Sequence, residues 1–175
     1  MLRRVLAVLS LSLVVMSGLE AQRPQTRSGF WFQGGLGGGS AGCEDCGDRT
    51  SGGTAVIALG GTLSRHVLLG ASIHGWARSE DNATLSVSAR TAAAHIYPWS
   101  RAGFFFNVGV GAGSTQLEFG PFTVEEDGPA FVAGIGYDIR IGRNVSLTPF
   151  TNGYGINYDE GTINAAQLGL SITVH

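Results

Sequence analysis

The chain has no lysine, and it carries few charges of either sign. Its 11 basic residues are all arginine, and charged residues make up 14% of the sequence, against about 25% in typical soluble domains. The formal net charge is −2, so the basic excess that binds nucleic acid is absent. The composition therefore argues against an ordinary soluble surface and against a nucleic-acid partner.

Long apolar runs are absent beyond the first 21 residues. A helix needs about 20 apolar residues to cross a bilayer, so the rest of the chain cannot form a helical membrane protein. The first 21 residues join Arg3 and Arg4 to an apolar stretch, Val5–Val15, and end in Ala21, which is typical of a cleaved secretory signal peptide. We predict a signal peptide over residues 1–21 and one domain over residues 22–175.

The sequence does contain a repeated alternation of apolar with small or polar residues, and a period of two is typical of β-strands. In residues 129–141, Phe131, Ile135 and Ile139 share one face, and glycines, Asp138 and Arg140 share the other. In residues 145–157 the apolar residues change face near Pro149, where we predict a β-bulge because proline cannot donate to a ladder. Eight strands are predicted: 30–39, 55–63, 67–78, 85–97, 104–113, 129–141, 145–157 and 166–174.

The links between these strands alternate in length and charge. Three short links, 64–66, 98–103 and 142–144, each carry one arginine and no acid, whereas the longer links 41–53, 79–83, 121–128 and 158–162 are acidic. Antiparallel strands joined in sequence order place every second link on the same rim, so the alternation predicts an up-and-down barrel. Ten acids lie in the longer links: Glu44, Asp45, Asp48, Glu80, Asp81, Glu125, Glu126, Asp127, Asp159 and Glu160.

The two strand faces differ in polarity, and this decides what the outer wall contacts. The less apolar face is mostly Gly, Ala, Ser, Thr and Asn, which suits a narrow barrel interior better than a water-exposed surface. We therefore predict that the apolar face meets lipid; a secreted soluble barrel would point it inward. The aromatic residues near the short links are predicted to form a girdle at the headgroups: Phe30, Phe32, Tyr97, Trp99 and Phe104.

The end of the chain carries the most specific motif. Gln167, Gly169, Ile172 and Val174 are similar to the polar-x-Gly-x-x-apolar-x-apolar assembly signal of small outer-membrane barrels, although the apolar residues are aliphatic and the last residue is His175. The mature chain resembles the OmpA/OmpX/OmpW-like class of Gram-negative bacteria, barrel domain only. The resemblance implies an all-β fold, an eight-stranded antiparallel up-and-down transmembrane β-barrel, that is inserted by barrel-assembly machinery.

Two groups of residues are candidates for chemistry. Cys43 and Cys46 are predicted to form a disulfide, because the compartment is oxidising; a redox pair, a metal site and free thiols are the alternatives. Glu44 and Asp45 disfavour the thiolate that redox chemistry needs. A polar cluster inside the barrel is predicted to be held by pairing of buried charges, with a gate or proton path as the alternative: His74, Arg78, Arg90, Asn107, Asp138 and Arg140.

The sequence predicts a non-enzymatic function with no cofactor. Barrels of the lipid A deacylase type show a His-x-Ser pair, but His74 precedes Gly75 and Trp76, and His95 precedes Ile96 and Tyr97. No catalytic, cofactor-binding or metal-binding residue is predicted. The expected role is envelope integrity or surface interaction; a narrow porin-like channel for small or hydrophobic solutes and a secreted soluble ligand-binding barrel are the alternatives.

We expect a monomer in the outer membrane of a Gram-negative bacterium. Its expected partners are outer-membrane lipid, lipopolysaccharide and the barrel-assembly machinery. The short links and both termini are expected in the periplasm, and the acidic links outside the cell.

Overall fold

The chain folds into a closed antiparallel barrel. The computed structural model describes residues 27–43, 47–81, 83–158 and 161–175, so the predicted signal peptide lies outside the described residues. Its strands are β1 (Phe30–Cys43), β2 (Thr50–Thr62), β3 (Val67–Glu80), β4 (Ala83–Ile96), β5 (Phe104–Phe119), β6 (Phe122–Tyr137), β7 (Ile139–Arg140), β8 (Val145–Tyr158) and β9 (Gly161–Val174). In these ranges no helix is long and apolar enough to cross a membrane.

Pairing follows the sequence order and then closes on itself. Strands β1 to β5 each pair antiparallel with the next, β8 pairs with β9, and β9 returns to pair with β1. Both β6 and β7 pair with β8, and β7 continues β6 beyond Asp138, so the nine segments form eight barrel strands. The predicted eight-stranded antiparallel up-and-down barrel is confirmed.

The apolar strand faces point outward, as predicted. Ile135, Ile139, Leu168 and Leu170 have exposed fractions of 41%, 38%, 68% and 55%. Leu36, Ile57 and Ile73 on three other strands are also exposed. A soluble barrel would bury these residues in its interior, so the structure does not support that alternative.

The strands are longer than predicted and extend into three of the four links that were predicted as long acidic loops. Each of these three links is a two-residue turn. β3 and β4 are joined through residues 81 and 82, β5 and β6 through Gly120 and Pro121, and β8 and β9 through residues 159 and 160. Asp81 and Gly120 have φ values of 51° and 58°, which two-residue hairpin turns of the primed types require. Polar residues keep their ladder hydrogen bonds in water, so pairing continues past the end of the apolar alternation.

The predicted bulge at Pro149 is also wrong. The register between β8 and β9 runs without a slip from Val145 opposite Val174 to Tyr158 opposite Gly161. The Val145 carbonyl accepts from the Ile141 amide, and backbone groups alternate sides, so the missing N–H of Pro149 lies towards β6. There the ladder is interrupted at Asp138, and this interruption separates β6 from β7.

Both ends of the described chain lie at the rim that carries the short links. The Arg27 guanidinium donates to the carbonyls of Ser100 and Ala102. The His175 amide donates to the carbonyl of Asn144. This rim is called the short-link rim below, and the opposite one the acidic rim.

Candidate functional site

The barrel interior is packed with side chains. Two apolar clusters lie inside: one surrounds Trp76 near the acidic rim, and the other surrounds Trp31 near the short-link rim. The His95 ring stacks on Phe105 with centroids 4.7 Å apart and lies 4.6 Å from the Trp31 ring. These inward rings close much of the cross-section of a barrel whose interior is only wide enough for side chains.

A buried carboxylate organises the interior near the short-link rim. Asp138 has no exposed surface. It accepts hydrogen bonds from the Tyr97 hydroxyl at 2.9 Å and the Thr148 hydroxyl at 2.7 Å, and His175 Nε2 lies 3.3 Å from its Oδ2 atom. These donors come from three separate parts of the chain, so the carboxylate joins strands that are distant in sequence. Such bonding is what a buried charge needs for stability.

Arg27 covers this group from the short-link rim. Its guanidinium carbon lies 3.4 Å from the centroid of the Tyr97 ring, a cation–π contact. Burial lowers the pKa of the Arg27 guanidinium from its usual value, while Tyr97 and Asp138 act in the opposite direction. Together with Tyr97, this residue ties the segment before β1 to the link between β4 and β5.

A second polar group lies deeper in the barrel. His74 Nε2 is 3.1 Å from the Ser72 hydroxyl, which is 2.8 Å from the Thr91 hydroxyl. His74 Nδ1 is 2.6 Å from Nε2 of Gln167. The sequence prediction placed no nucleophile beside a base, whereas the structure brings Ser72 and His74 together. Both are buried, and the third partner is a neutral amide, so the arrangement resembles a structural network more than an exposed catalytic pair.

The predicted interior cluster is only partly inside. His74, Asn107 and Asp138 are buried, and the Asn107 amide donates to the side-chain carbonyl of Asn152 at 3.3 Å. Arg140 is half-buried on the inward face of β7. His74, Asn107 and Asp138 have different partners and belong to separate groups along the interior instead of one cluster.

Two arginines of that cluster lie outside the packed interior: Arg78 is on the predicted inward face of β3 but at the rim, and Arg90 was predicted on the wrong face. Arg78 lies at the acidic rim, where it pairs with Glu80 at 3.0 Å and donates to the Ser51 carbonyl. Arg90 is exposed on the outer face of β4, because the residues on either side of it, Ala89 and Thr91, point inward. Both faces of this strand are small or polar over much of its length, so alternation alone gave the wrong phase.

Several interior residues were not predicted from the sequence. Tyr97 was assigned to the aromatic girdle, but it is fully buried inside and bonded to Asp138. His95, Thr148 and His175 were not assigned to the interior either. His95 and Tyr97 lie on the same face of the chain as Val87, which is buried. Val87 was the one sequence feature that could have indicated that this face points inward.

The remaining candidates are the predicted assembly signal and the two cysteines. Gln167 and Gly169 of the predicted assembly signal point inward, and Ile172 and Val174 point outward. Cys43 is disulfide-bonded, while Cys46 lies outside the described residues, so its pairing stays a prediction. In the described ranges, no three His, Cys, Asp or Glu side chains form a group that could hold a metal ion.

Comparison with known proteins identifies the fold. No protein-family model and no curated protein sequence matches the chain. Among solved structures, Neisserial surface protein A matches with a TM-score of 0.65 and 13% identity over 86% of this chain and 99% of that one. Ail, the attachment invasion locus protein of Yersinia pestis, matches with a TM-score of 0.56 and 10% identity over 85% and 99%. The outer membrane protein OprG of Pseudomonas aeruginosa matches with a TM-score of 0.50 and 11% identity over 87% and 100%. The chain therefore shares the fold of small outer-membrane barrels.

Proposed function

We propose that the chain is a non-enzymatic barrel protein of the Gram-negative outer membrane, with a closed interior and acidic hairpins at the cell surface. Its role is envelope integrity or surface interaction. The observation that carries the proposal is the exposure of apolar side chains around the barrel wall, outside an interior of buried polar and aromatic residues. Soluble monomers rarely expose contiguous apolar patches larger than a few hundred Å², so a wall of this kind needs lipid.

The outer wall also carries aromatic residues at the level expected for lipid headgroups. Phe30, Phe32 and Trp99 are exposed near the short-link rim, with exposed fractions of 66%, 40% and 62%. The Phe104 ring is 6.1 Å from the Trp99 ring and continues this girdle. Aromatic belts of this kind border the apolar band of membrane barrels.

The hairpin of β5 and β6 supports a role in surface interaction. β8 pairs with β6 only between Ala130 and Gly136, so residues 122–129 extend beyond that pairing. Phe119, Phe122 and Val124 at the tip have exposed fractions of 62%, 72% and 66%. Three consecutive acids follow on β6, at positions 125–127. Exposed apolar and acidic side chains on a strand edge suit a protein partner, and Ail, of similar fold, is named for attachment and invasion.

The proposed partners and orientation follow the same physical arguments. The wall would contact outer-membrane lipid and lipopolysaccharide, and the C-terminal strand would be read by the barrel-assembly machinery. The monomer needs no second copy, because lipid covers its apolar wall. The short-link rim, where the strands turn close to the apolar band, would face the periplasm, and the acidic rim, where the hairpins extend beyond the band, would face the exterior.

Electrophoretic mobility tests the membrane proposal directly. The full chain, expressed in a Gram-negative host, should appear in the outer-membrane fraction and migrate differently with and without boiling. A soluble periplasmic product whose mobility does not depend on heating would contradict the proposal. A lumen residue change such as Asp138→Asn should alter the temperature of the shift but not the fraction in which the protein is found.

Surface labelling tests the orientation. An epitope inserted between Gly120 and Pro121 should be labelled by antibody on intact cells. The same epitope between Arg143 and Asn144 should be labelled only after the outer membrane is opened. The reverse pattern would contradict the proposed orientation while leaving the membrane assignment in place.

A further inference from the structure

Arg90 is a charged residue on an otherwise apolar part of the outer wall. It is exposed on β4, between outward-facing Ile73 of β3 and Ala112 of β5, which are its register partners. One step closer to the acidic rim, the Ser88 and Ser114 hydroxyls lie 3.1 Å apart, and from there the outer face of β4 is polar. Arg90 therefore marks the upper edge of the apolar band on this wall.

The depth of Arg90 fits the headgroups of the leaflet at the acidic rim. Its register partner Ala112 lies eight residues along β5 from Phe104 of the aromatic girdle, which at about 3.3 Å per residue and a tilt of about 40° gives a rise of roughly 20 Å. The apolar band of a membrane barrel is about 25 Å tall. Because an arginine side chain extends towards the interface, its guanidinium reaches the level of lipid phosphates.

An apolar groove begins just below Arg90 on the same wall. Ala92 and Ala94 form its floor, since both are small and face outward on β4. Larger side chains of the neighbouring strands form its sides. The groove has a volume of about 510 Å³, and its outward-facing lining is Leu69, Ala92, Ala94, Val108, Val110 and Phe131.

We propose that Arg90 and this groove bind one phosphate-bearing lipid. The guanidinium donates to the phosphate in the bidentate geometry that arginine favours, and one acyl chain lies along the alanine floor. The charge and the groove are adjacent, because Ala92 follows Arg90 by two residues on one strand face, about 7 Å away. This inference rests on the proposed function, since it requires that lipid surrounds the wall.

An acid on the same wall is the competing partner for Arg90. Ser114 is the register partner of both Ser88 and Asp127, so Asp127 lies on the outer face of β6, two strands from β4. Within the described residues, no salt bridge to Arg90 is present, so its guanidinium is available to a lipid phosphate.

Lipid retention by the intact barrel tests the proposal. The full-length barrel is placed in vesicles of equal parts phosphatidylcholine and phosphatidylglycerol, extracted in mild detergent, and weighed with its retained lipid by native mass spectrometry. We expect phosphatidylglycerol to be retained preferentially, and Arg90→Gln to lower that preference roughly tenfold. Ala92→Leu with Ala94→Leu should reduce the retention of both lipids, because the side chains fill the groove. Free inorganic phosphate should not displace the lipid.

Matched variants separate the alternatives. Arg78→Gln removes the same charge at the acidic rim and should leave the preference unchanged; an equal loss would mean general charge attraction and would overturn the proposal. Asp127→Asn should leave the preference unchanged; a rise of about tenfold would show that Asp127 holds Arg90 in an ion pair in the native barrel and would overturn the proposal. The proposal is also overturned if the Arg90→Gln variant keeps the preference for phosphatidylglycerol. Failure of every variant, wild type included, to enter vesicles would overturn the proposed function as well.

Discussion

At the scale of single residues, Asp138 shows how this interior holds a charge. The residue interrupts the sixth barrel strand, and its amide donates to the carbonyl of Gly103, directly before β5. Its carboxylate has no exposed surface, so the hydrogen bonds from Tyr97 and Thr148 replace water. Thr148 in turn lies 2.8 Å from the Thr173 hydroxyl, which extends the network to β9.

Replacing this carboxylate should destabilise the barrel. Asp138→Asn replaces one acceptor oxygen by an NH2 group, which then faces a hydroxyl that donates to the carboxylate in the native protein. At least one charge-assisted hydrogen bond is therefore lost. We expect the free energy of unfolding to fall by about 2 kcal/mol, measured by urea unfolding in vesicles with tryptophan fluorescence. Asp127→Asn makes the same change on the exposed hairpin and should cost less than about 0.5 kcal/mol. Equal effects of the two substitutions would refute a stabilising role for the network.

At the scale of strands, the fit between β5 and β6 depends on a glycine. Gly136 of β6 is the register partner of Phe105, and a Cβ atom at Gly136 would lie 2.4 Å from the ring. The ring cannot move away easily, because it contacts both His95 and Tyr97. The inward-facing Gly136 therefore leaves room for the Phe105 ring, which a side chain at this position would displace.

Adding one methyl group at this point should strain the pair of strands. Gly136→Ala is expected to lower the free energy of unfolding by about 1–3 kcal/mol. The additional change Phe105→Leu should recover part of that loss. Gly61→Ala is the matched control, since a Cβ atom there meets no atom within 4 Å. If both alanine variants unfold at the same urea concentration, the ring is not the constraint.

The strands also show what sequence alone could establish. β6 and β9 were predicted with the right faces, because large apolar residues alternate with small or polar ones over many positions. β4 was predicted in the right place but Arg90 was put on the wrong face, since Thr84, Ser86 and Ser88 outside oppose Val87 and Ala89 inside. Where the outward residues are no more apolar than the inward ones, the pattern does not indicate which face meets lipid.

The partners of the polar side chains inside the barrel could not be predicted either, and the reason is different. Its members are fixed by which residues the register brings across the interior, as with Gln33 and Ser171, whose side chains lie 2.8 Å apart although they are 138 residues apart in sequence. Alternation gives the face of each residue but not its height relative to another strand. Asp138 could therefore be placed inside, while its partners Tyr97 and Thr148 could not be identified.

At the scale of the whole molecule, the lipid-facing wall should respond to charge according to depth. Leu170 is 55% exposed and lies opposite Leu36 and Pro149, in the middle of the apolar wall. Leu170→Arg should cost about 2–4 kcal/mol in vesicles. Leu63→Arg, at the short-link rim, should cost about 0–1 kcal/mol because the side chain reaches water. Equal and small effects at both positions would contradict a lipid-covered wall.

The packed interior makes a prediction about conduction by the whole barrel. Trp31 and Trp76 are 0% and 1% exposed, and Tyr97 and Phe105 contact each other from neighbouring strands inside the barrel. Polar side chains between these rings bond to one another, as Gln167 does to His74 and Asn107 to Asn152. An eight-stranded barrel has an interior that side chains can fill, so the purified protein should show no steady conductance in a planar lipid bilayer.

Variants that remove the interior rings test this packing. The Trp76→Ala barrel should remain closed near the short-link rim, because the cluster around Trp31 is separate. Combining Trp76→Ala with Trp31→Ala and Phe105→Ala should introduce current fluctuations. A steady, ohmic conductance in the wild-type protein would favour the channel alternative over a closed barrel.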